Sequence, residues 1–174
     1  NTIPVSITGN GLTWVLISNQ ESGIGKQGLG CSIYRAMGAA PSTGAVTVTM
    51  PTASNSICVN IVSLSGVNTS GTNGSGAVVQ SNKAAGGSTT PAVALAAISS
   101  PANSVVAVVS RQGNPFNGTP KSGFTESMDS GAQGAGLPAM GGCGMYALAT
   151  SDNNPSVTIA NSVWNIVAIE VKAA

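Results

Sequence analysis

The sequence predicts an all-β fold, an antiparallel β-sandwich, and three observations carry that expectation. Pro, Gly, Asn and Ser interrupt the chain at intervals of roughly 8 to 12 residues, the turn spacing of a β domain. Between the interruptions apolar residues alternate with polar ones at period two, and no stretch holds a helical period. Segments near the start of the chain also recur, in the same order, near its end.

Taken in chain order, the candidate strands are short. Ile3 to Ile7, Leu12 to Ser18 and Ser32 to Met37 come first. Ala45 to Met50 shows the pattern most plainly, because Val46, Val48 and Met50 alternate with Thr47 and Thr49 and so give one buried and one wet face. Ile57 to Leu64 and Ala77 to Gln80 follow. Ala92 to Ile98 is rich in Ala and Leu, which favour helix, yet Thr90-Pro91 and Ser99-Ser100-Pro101 hold it to strand length. Ser104 to Val109, Gly142 to Ala149, Ser156 to Ile159 and Val163 to Val171 complete the set. The stretch from Gly66 to Thr90 reads as loop, with Gly71 to Gly76 as an exposed tip and Ala84 to Gly87 as a flexible turn. No linker divides the chain, so residues 1–174 are expected to form a single β-sandwich domain.

The repeat spans 11–64 and 123–171. Gly11-Leu12-Thr13 aligns with Gly123-Phe124-Thr125, and at the same spacing Gly30-Cys31-Ser32-Ile33-Tyr34 aligns with Gly142-Cys143-Gly144-Met145-Tyr146. After small deletions Ala45-Val46-Thr47-Val48 meets Ser156-Val157-Thr158-Ile159, and Asn60 to Leu64 meets Asn165 to Ile169. Neither copy carries enough strands to close a sandwich alone. Both are therefore expected to contribute to one core.

Charge excludes several roles. Lys and Arg number 6, Asp and Glu 5 and His 0, for a net charge of +1. Phosphate recognition needs a basic stripe, whereas Lys26, Arg35, Lys83, Arg111, Lys121 and Lys172 are scattered singly, so nucleic acid is not expected as a partner. Apolar runs such as Val105 to Val109 fall far short of the ~20 residues that span a bilayer, so a soluble chain is expected. No basic segment leads into an apolar signal region, and the numbering opens on Asn, so the original N-terminus is expected to lie upstream.

Catalysis finds little material. Nucleophilic mechanisms need a base beside the nucleophile, and with His absent no Lys has a Ser three residues before it. Glycoside hydrolysis would have to pair two of Glu21, Glu126, Asp129, Asp152 and Glu170, which are dispersed, although Glu21 and Asp129 occupy related places in the two copies. Gly23 to Gly28 spells G-x-G-x-x-G, but a strand follows it where phosphate binding requires a helix N-terminus. Cys31, Cys58 and Cys143 lack C-x-x-C spacing, and strand parity places Cys31 beside Ile33 and Cys143 beside Met145 as buried filler. Asp152-Asn153-Asn154 offers oxygens to calcium but precedes Pro155 as a turn does. No enzyme activity, cofactor or metal is expected. Among the aromatics, Trp164, Tyr34 and Tyr146 read as packing residues, which leaves Trp14 and Phe116 as exposed faces on which a sugar could stack.

The order Thr13-Trp14, Tyr34-Arg35-Ala36, Val46-Thr47-Val48-Thr49 and Ser65-Gly66-Val67-Asn68-Thr69, followed by Ser104 to Val109, Ser122-Gly123-Phe124-Thr125-Glu126 and the closing Trp164 to Lys172 strand, resembles a β-sandwich module of phage virions and bacterial surface proteins. The resemblance covers nearly the whole chain. It departs from the pattern at Phe124, where the module has Trp, and in the Gly- and Met-rich stretch from 131 to 145. It implies a jelly-roll-like sandwich that decorates or cements a phage capsid in many copies, as a homo-oligomer such as a trimer, with a capsid or other virion protein as partner and the virion as its location. The same resemblance implies, as the alternative, a glycan-binding adhesin or receptor-binding tail module, extracellular or on a bacterial surface. It implies no catalytic residue.

Overall fold

The computed structural model describes residues 3–22, 28–51, 56–113, 116–132 and 139–174. Within them the chain is all-β. The strands are β1 (Ser6–Gly9), β2 (Val15–Ser22), β3 (Leu29–Arg35), β4 (Val46–Thr49), β5 (Val78–Ser88), β6 (Ser104–Gln112), β7 (Thr119–Pro120), β8 (Thr125–Ala132), β9 (Met140–Ala147), β10 (Val157–Thr158) and β11 (Ser162–Val171), with a 3₁₀ turn over Thr72–Ala77.

An antiparallel five-stranded sheet runs in the order β5-β11-β6-β9-β8. The pairs β1–β4, β2–β3 and β7–β10 are antiparallel two-stranded ribbons. The sequence of β11, Val-Trp-Asn-Ile-Val-Ala-Ile-Glu-Val after Ser162, is nearly continuously apolar, which suits a strand covered on both faces. On one face Trp164, Ile166 and Ala168 join Val105, Ala107 and Val109 of β6 and Cys143 and Met145 of β9. Val93, Leu95, Phe116, Val157 and Ile159 close that core from above. The opposite face carries Asn165, Val167 and Ile169 and lies under the β2–β3 ribbon, where Asn165 Nδ2 donates to the Leu29 carbonyl at 2.9 Å. Each fully buried Val or Ile is worth roughly 1.5–3 kcal/mol, so this strand's composition draws it to the centre.

Several segments depart from the sequence expectation, and Ile57 to Leu64, expected as a strand, pairs in no ladder among the described residues. Ala84 to Gly87 is no flexible turn: it lies within β5 and pairs with Ile166 to Val163 of β11. Its glycine is there for space, because a Cβ on Gly86 would come within 2.8 Å of the Trp164 ring. Gly71 to Gly76 is only partly an exposed tip, since Gly74 is buried against Met37 and takes a positive φ of 71° that suits Gly. Ala92 to Ile98 forms no strand ladder beyond an isolated bridge from Ala92 to Ser156. Backbone bonds tie one edge loosely, Val93 and Leu95 N–H donating to the Pro155 and Asn153 carbonyls and Val157 N–H to the Pro91 carbonyl, while side chains serve the rest: Gln80 bonds the Ala96 backbone, Asn82 bonds the Ala94 carbonyl and Asn153 bonds the Leu95 carbonyl, and Val93 and Leu95 plug the core.

The close approach of Trp164 to β5 gives a test. Gly86→Ala should destabilise the fold by about 1–3 kcal/mol through overpacking, whereas Gly87→Ala, whose Cβ would meet nothing within 4 Å, should stay within about 0.5 kcal/mol of the parent. Urea unfolding of both variants measures the difference.

Candidate functional site

The two residues expected to present stacking faces are placed differently. Trp14, just ahead of β2, is half-buried, and its indole N–H donates to the Gly9 carbonyl at 3.3 Å. Phe116 corrects the expectation, because it has no exposed surface at all. It fills the core between Val157 and the side-chain-free positions Gly118 and Gly141, with the Arg111 guanidinium 5.7 Å from its ring centre. The polar surroundings of Phe116 in sequence, Asn114-Pro115 and Asn117-Gly118, carry no signal of that burial. Trp164 is core as expected, its indole N–H donating to Ser88 Oγ at 3.0 Å. Tyr34 donates its hydroxyl to the Pro4 carbonyl at 3.2 Å.

The acids serve separate local tasks. Asp129 accepts the backbone N–H groups of Asn117 and Gly118 at 3.3 and 3.1 Å. Asp152 Oδ1 accepts the N–H of Asn154 at 3.0 Å, and its carboxylate pairs with Lys121 at 2.7 Å, so the Asp152-Asn153-Asn154 oxygens close a turn onto an ammonium. Lys121 and that turn lower the Asp152 carboxyl against the opposing effect of burial. Glu21 lies in β2 and Glu126 in β8. Among the described residues no three of His, Cys, Asp and Glu come together as a metal set, and no helix is long and apolar enough to cross a membrane. Positions 23–27 of the G-x-G-x-x-G string, and 133–138 of the Gly-rich stretch, fall outside the described residues.

Glu170 is the buried acid whose role the sequence hides. It is fully covered within β11, and Gln80 donates to one oxygen at 2.6 Å while Ser99 N–H, Ser99 Oγ and Asn103 Nδ2 donate to the other at 2.9, 2.7 and 2.6 Å. Burial alone would raise its pKa, but these bonds together hold the carboxyl below its ordinary value. The carboxylate thereby ties the loop around Ser99 to the end of the central strand. The signal available in sequence was one acid inside an apolar strand, a position that is filled only when the charge is fully bonded.

A concavity among the described residues lies between β3 and the segment that follows residue 56. Three adjoining cavities of about 140, 370 and 120 Å³ run between Ser32–Arg35 of β3 on one side and Val59–Leu64 on the other. Val106 and Val108 of β6 and Gly144 of β9 line one cavity, Ile7, Val46 and Val48 of the β1–β4 ribbon line another, and Trp14 lines all three. Gly144 and Gly142 let the segment lie close, since a Cβ at either would meet Asn60 or Cys58. The segment itself is held by side chains: Asn60 Nδ2 donates to Ser127 Oγ at 2.6 Å and the Cys58 thiol to the Ser130 carbonyl at 3.8 Å. Ile57, Val59, Ile61 and Val62 remain 42%, 52%, 56% and 41% exposed. No family model, curated protein or solved structure matches the chain.

Two measurements follow from these environments. Cys31 and Cys143 are buried free thiols pushed up to about 12, both chiefly by burial, with Glu126 and Asp129 adding to the effect at Cys143. Neither should react with a thiol reagent in the native state at pH 8, and replacement of either by Ser should cost roughly 1–3 kcal/mol by burying a more polar hydroxyl in the apolar core. The folded Glu170 carboxyl sits below its unfolded value, so its contribution is present above the ordinary Glu range near ~4.3 and is lost as pH falls through the folded value. Glu170→Gln should therefore lower stability at pH 7 by about 1–3 kcal/mol, because the new amide faces donors. It should also flatten the acid limb of the stability profile, as read by unfolding midpoints from pH 7 to pH 3.

Proposed function

We propose that the chain is a structural protein of a virion, a decoration or cement protein that covers a phage capsid in many copies, with a jelly-roll-like fold built by duplication. The observation that carries the functional reading is a surface almost without charge, with only 11 charged residues in 174, combined with the exposed apolar row from Ile57 to Val62. A freely soluble domain ordinarily carries about a quarter of its residues charged. A surface so poor in charge is cheap to desolvate against neighbours, and multivalency turns modest contacts into firm coverage.

The duplication is supported by the pairing pattern. The aligned segments pair alike, β1 with β4 as β7 with β10, and β2 with β3 as β8 with β9. The glycan-binding alternative rests on Trp14, since Phe116 has no face to offer.

Sedimentation of the purified chain, with imaging of native material, tests the reading. Self-association or attachment to particles is the expected result. A monodisperse monomer that binds no particle, and whose Trp14 fluorescence is quenched by a defined glycan, would replace the structural role with the adhesin.

A further inference from the structure

The cavities between β3 and Val59–Leu64 have the shape and chemistry of a place for one more strand. Among the described residues β3 has a single strand neighbour, β2, and Ile57 to Ser65 belongs to no ladder. No backbone–backbone hydrogen bond among the described residues engages that segment, and the side chains of Cys58 and Asn60 anchor it. Extended edges flanking an apolar slot are satisfied by a strand and by little else, because only a second backbone supplies donors and acceptors at the right repeat.

The second half of the molecule shows what belongs there. In the internal alignment β3 corresponds to β9, and Asn60–Leu64 corresponds to Asn165–Ile169 of β11. Between β9 and β11 lies β6, hydrogen-bonded to both in antiparallel register. Its sequence is Ser-Val-Val-Ala-Val-Val-Ser-Arg-Gln, and Val105, Ala107 and Val109 are buried against Phe116, Val157 and Ile159. The equivalent place beside β3 is bounded in the same manner by Ile7, Val46 and Val48 of the β1–β4 ribbon. Around the slot the charged lining residue is Arg35, whose Nε already donates to the Asn73 carbonyl at 3.2 Å, so an uncharged occupant fits.

From this geometry we infer that the slot receives one further antiparallel strand, an uncharged extended segment with β-branched residues at alternate positions, supplied by polypeptide from outside these 174 residues. It would add to β3 on one edge and to Ile57–Ser65 on the other, in the mode of strand addition to an open sheet edge. The inference rests on the duplication reading, since the duplicate identifies the vacant position. It also accounts for the exposure of Ile57, Val59, Ile61 and Val62, which an added strand would draw into a ladder and partly cover.

The probe is an end-capped synthetic peptide with the uncharged sequence of Ser104–Ser110, labelled and titrated into the intact chain, with amide hydrogen exchange read in the same samples. Saturable binding is expected, together with new protection confined to β3 and residues 57–65. A peptide carrying Val106→Asp and Val108→Asp should bind at least tenfold more weakly. Ile61→Pro in the protein removes an N–H that no backbone carbonyl of the described residues accepts, so it should leave the unfolding midpoint near that of the parent and weaken peptide binding at least tenfold. Absent binding, or binding without protection of residues 57–65, overturns the inference. Protection of residues 57–65 that rises with protein concentration and no peptide assigns the slot to a second copy and overturns the outside donor. None of these failures touches the sedimentation result on which the virion reading depends.

Discussion

A strand hydrogen-bonded along both edges and covered on both faces has nowhere to put a solvated side chain, and β11 is in that position from Trp164 to Val171. Its residues are accordingly apolar with two exceptions, Asn165 and Glu170, and each exception holds a piece of the periphery. Asn165 fastens the β2–β3 ribbon through the Leu29 carbonyl, and Glu170 fastens the loop around Ser99 and the side chain of Asn103. The sheet's neighbours follow from the same constraint. β5 supplies Gly86 where the Trp164 ring needs room, and β6 supplies Val105, Ala107 and Val109 to the core. Both polar groups cost desolvation, which the four donors around Glu170 offset and which Asn165 offsets through its Nδ2 alone, its Oδ1 being buried without a partner among the described residues.

How much of this is legible in sequence depends on what sets each element. β4, β6 and β11 are set by their own side-chain pattern, and the alternation of Val46 and Val48 or the apolar run from Val163 is sufficient to find them. β8 escapes because Thr125-Glu126-Ser127-Met128-Asp129-Ser130 is polar, and its place at a sheet edge is fixed by pairing with β9 and not by hydrophobicity. The second half of β5 escapes for a related reason: Ala84-Ala85-Gly86-Gly87 looks like a turn until the bulk of Trp164 explains it. Ala92 to Ile98 has a strand's composition and a strand's alternate burial, yet it keeps only scattered backbone bonds to 153–157, and on the side of β5 the amide side chains of Gln80 and Asn82 take the hydrogen bonds a neighbouring strand would have made. Phe116 is the clearest misplacement, because turn residues on both sides advertise exposure while the glycines at 118 and 141 open a pocket that only folding reveals.

The same physics separates the two halves. In the second half the pattern of β6, β9 and β11 closes on itself, and apolar side chains meet from three strands and a plug. In the first half β2 and β3 lie as a ribbon on the sheet, and the Ile- and Val-bearing segment from Ile57 to Ser65 has no backbone partner among the described residues. Sequence alone reads Ile57 to Leu64 as a strand, and its composition does justify one. What the segment lacks is the neighbour that would make it a strand, and that lack leaves apolar surface and open edges on a chain with very little charge to keep them apart from other chains.

Amide hydrogen exchange of the isolated chain, resolved along the sequence, weighs this contrast most directly. The account predicts that β11 and the β6 amides paired with it exchange slowest, through opening close to global unfolding, while Ile57 to Ser65 exchanges nearly as fast as an unstructured peptide. Protection of Ile57 to Ser65 comparable to that of β11 in a dilute monomer would contradict it, because the segment would then already have the partner that the slot is argued to be missing.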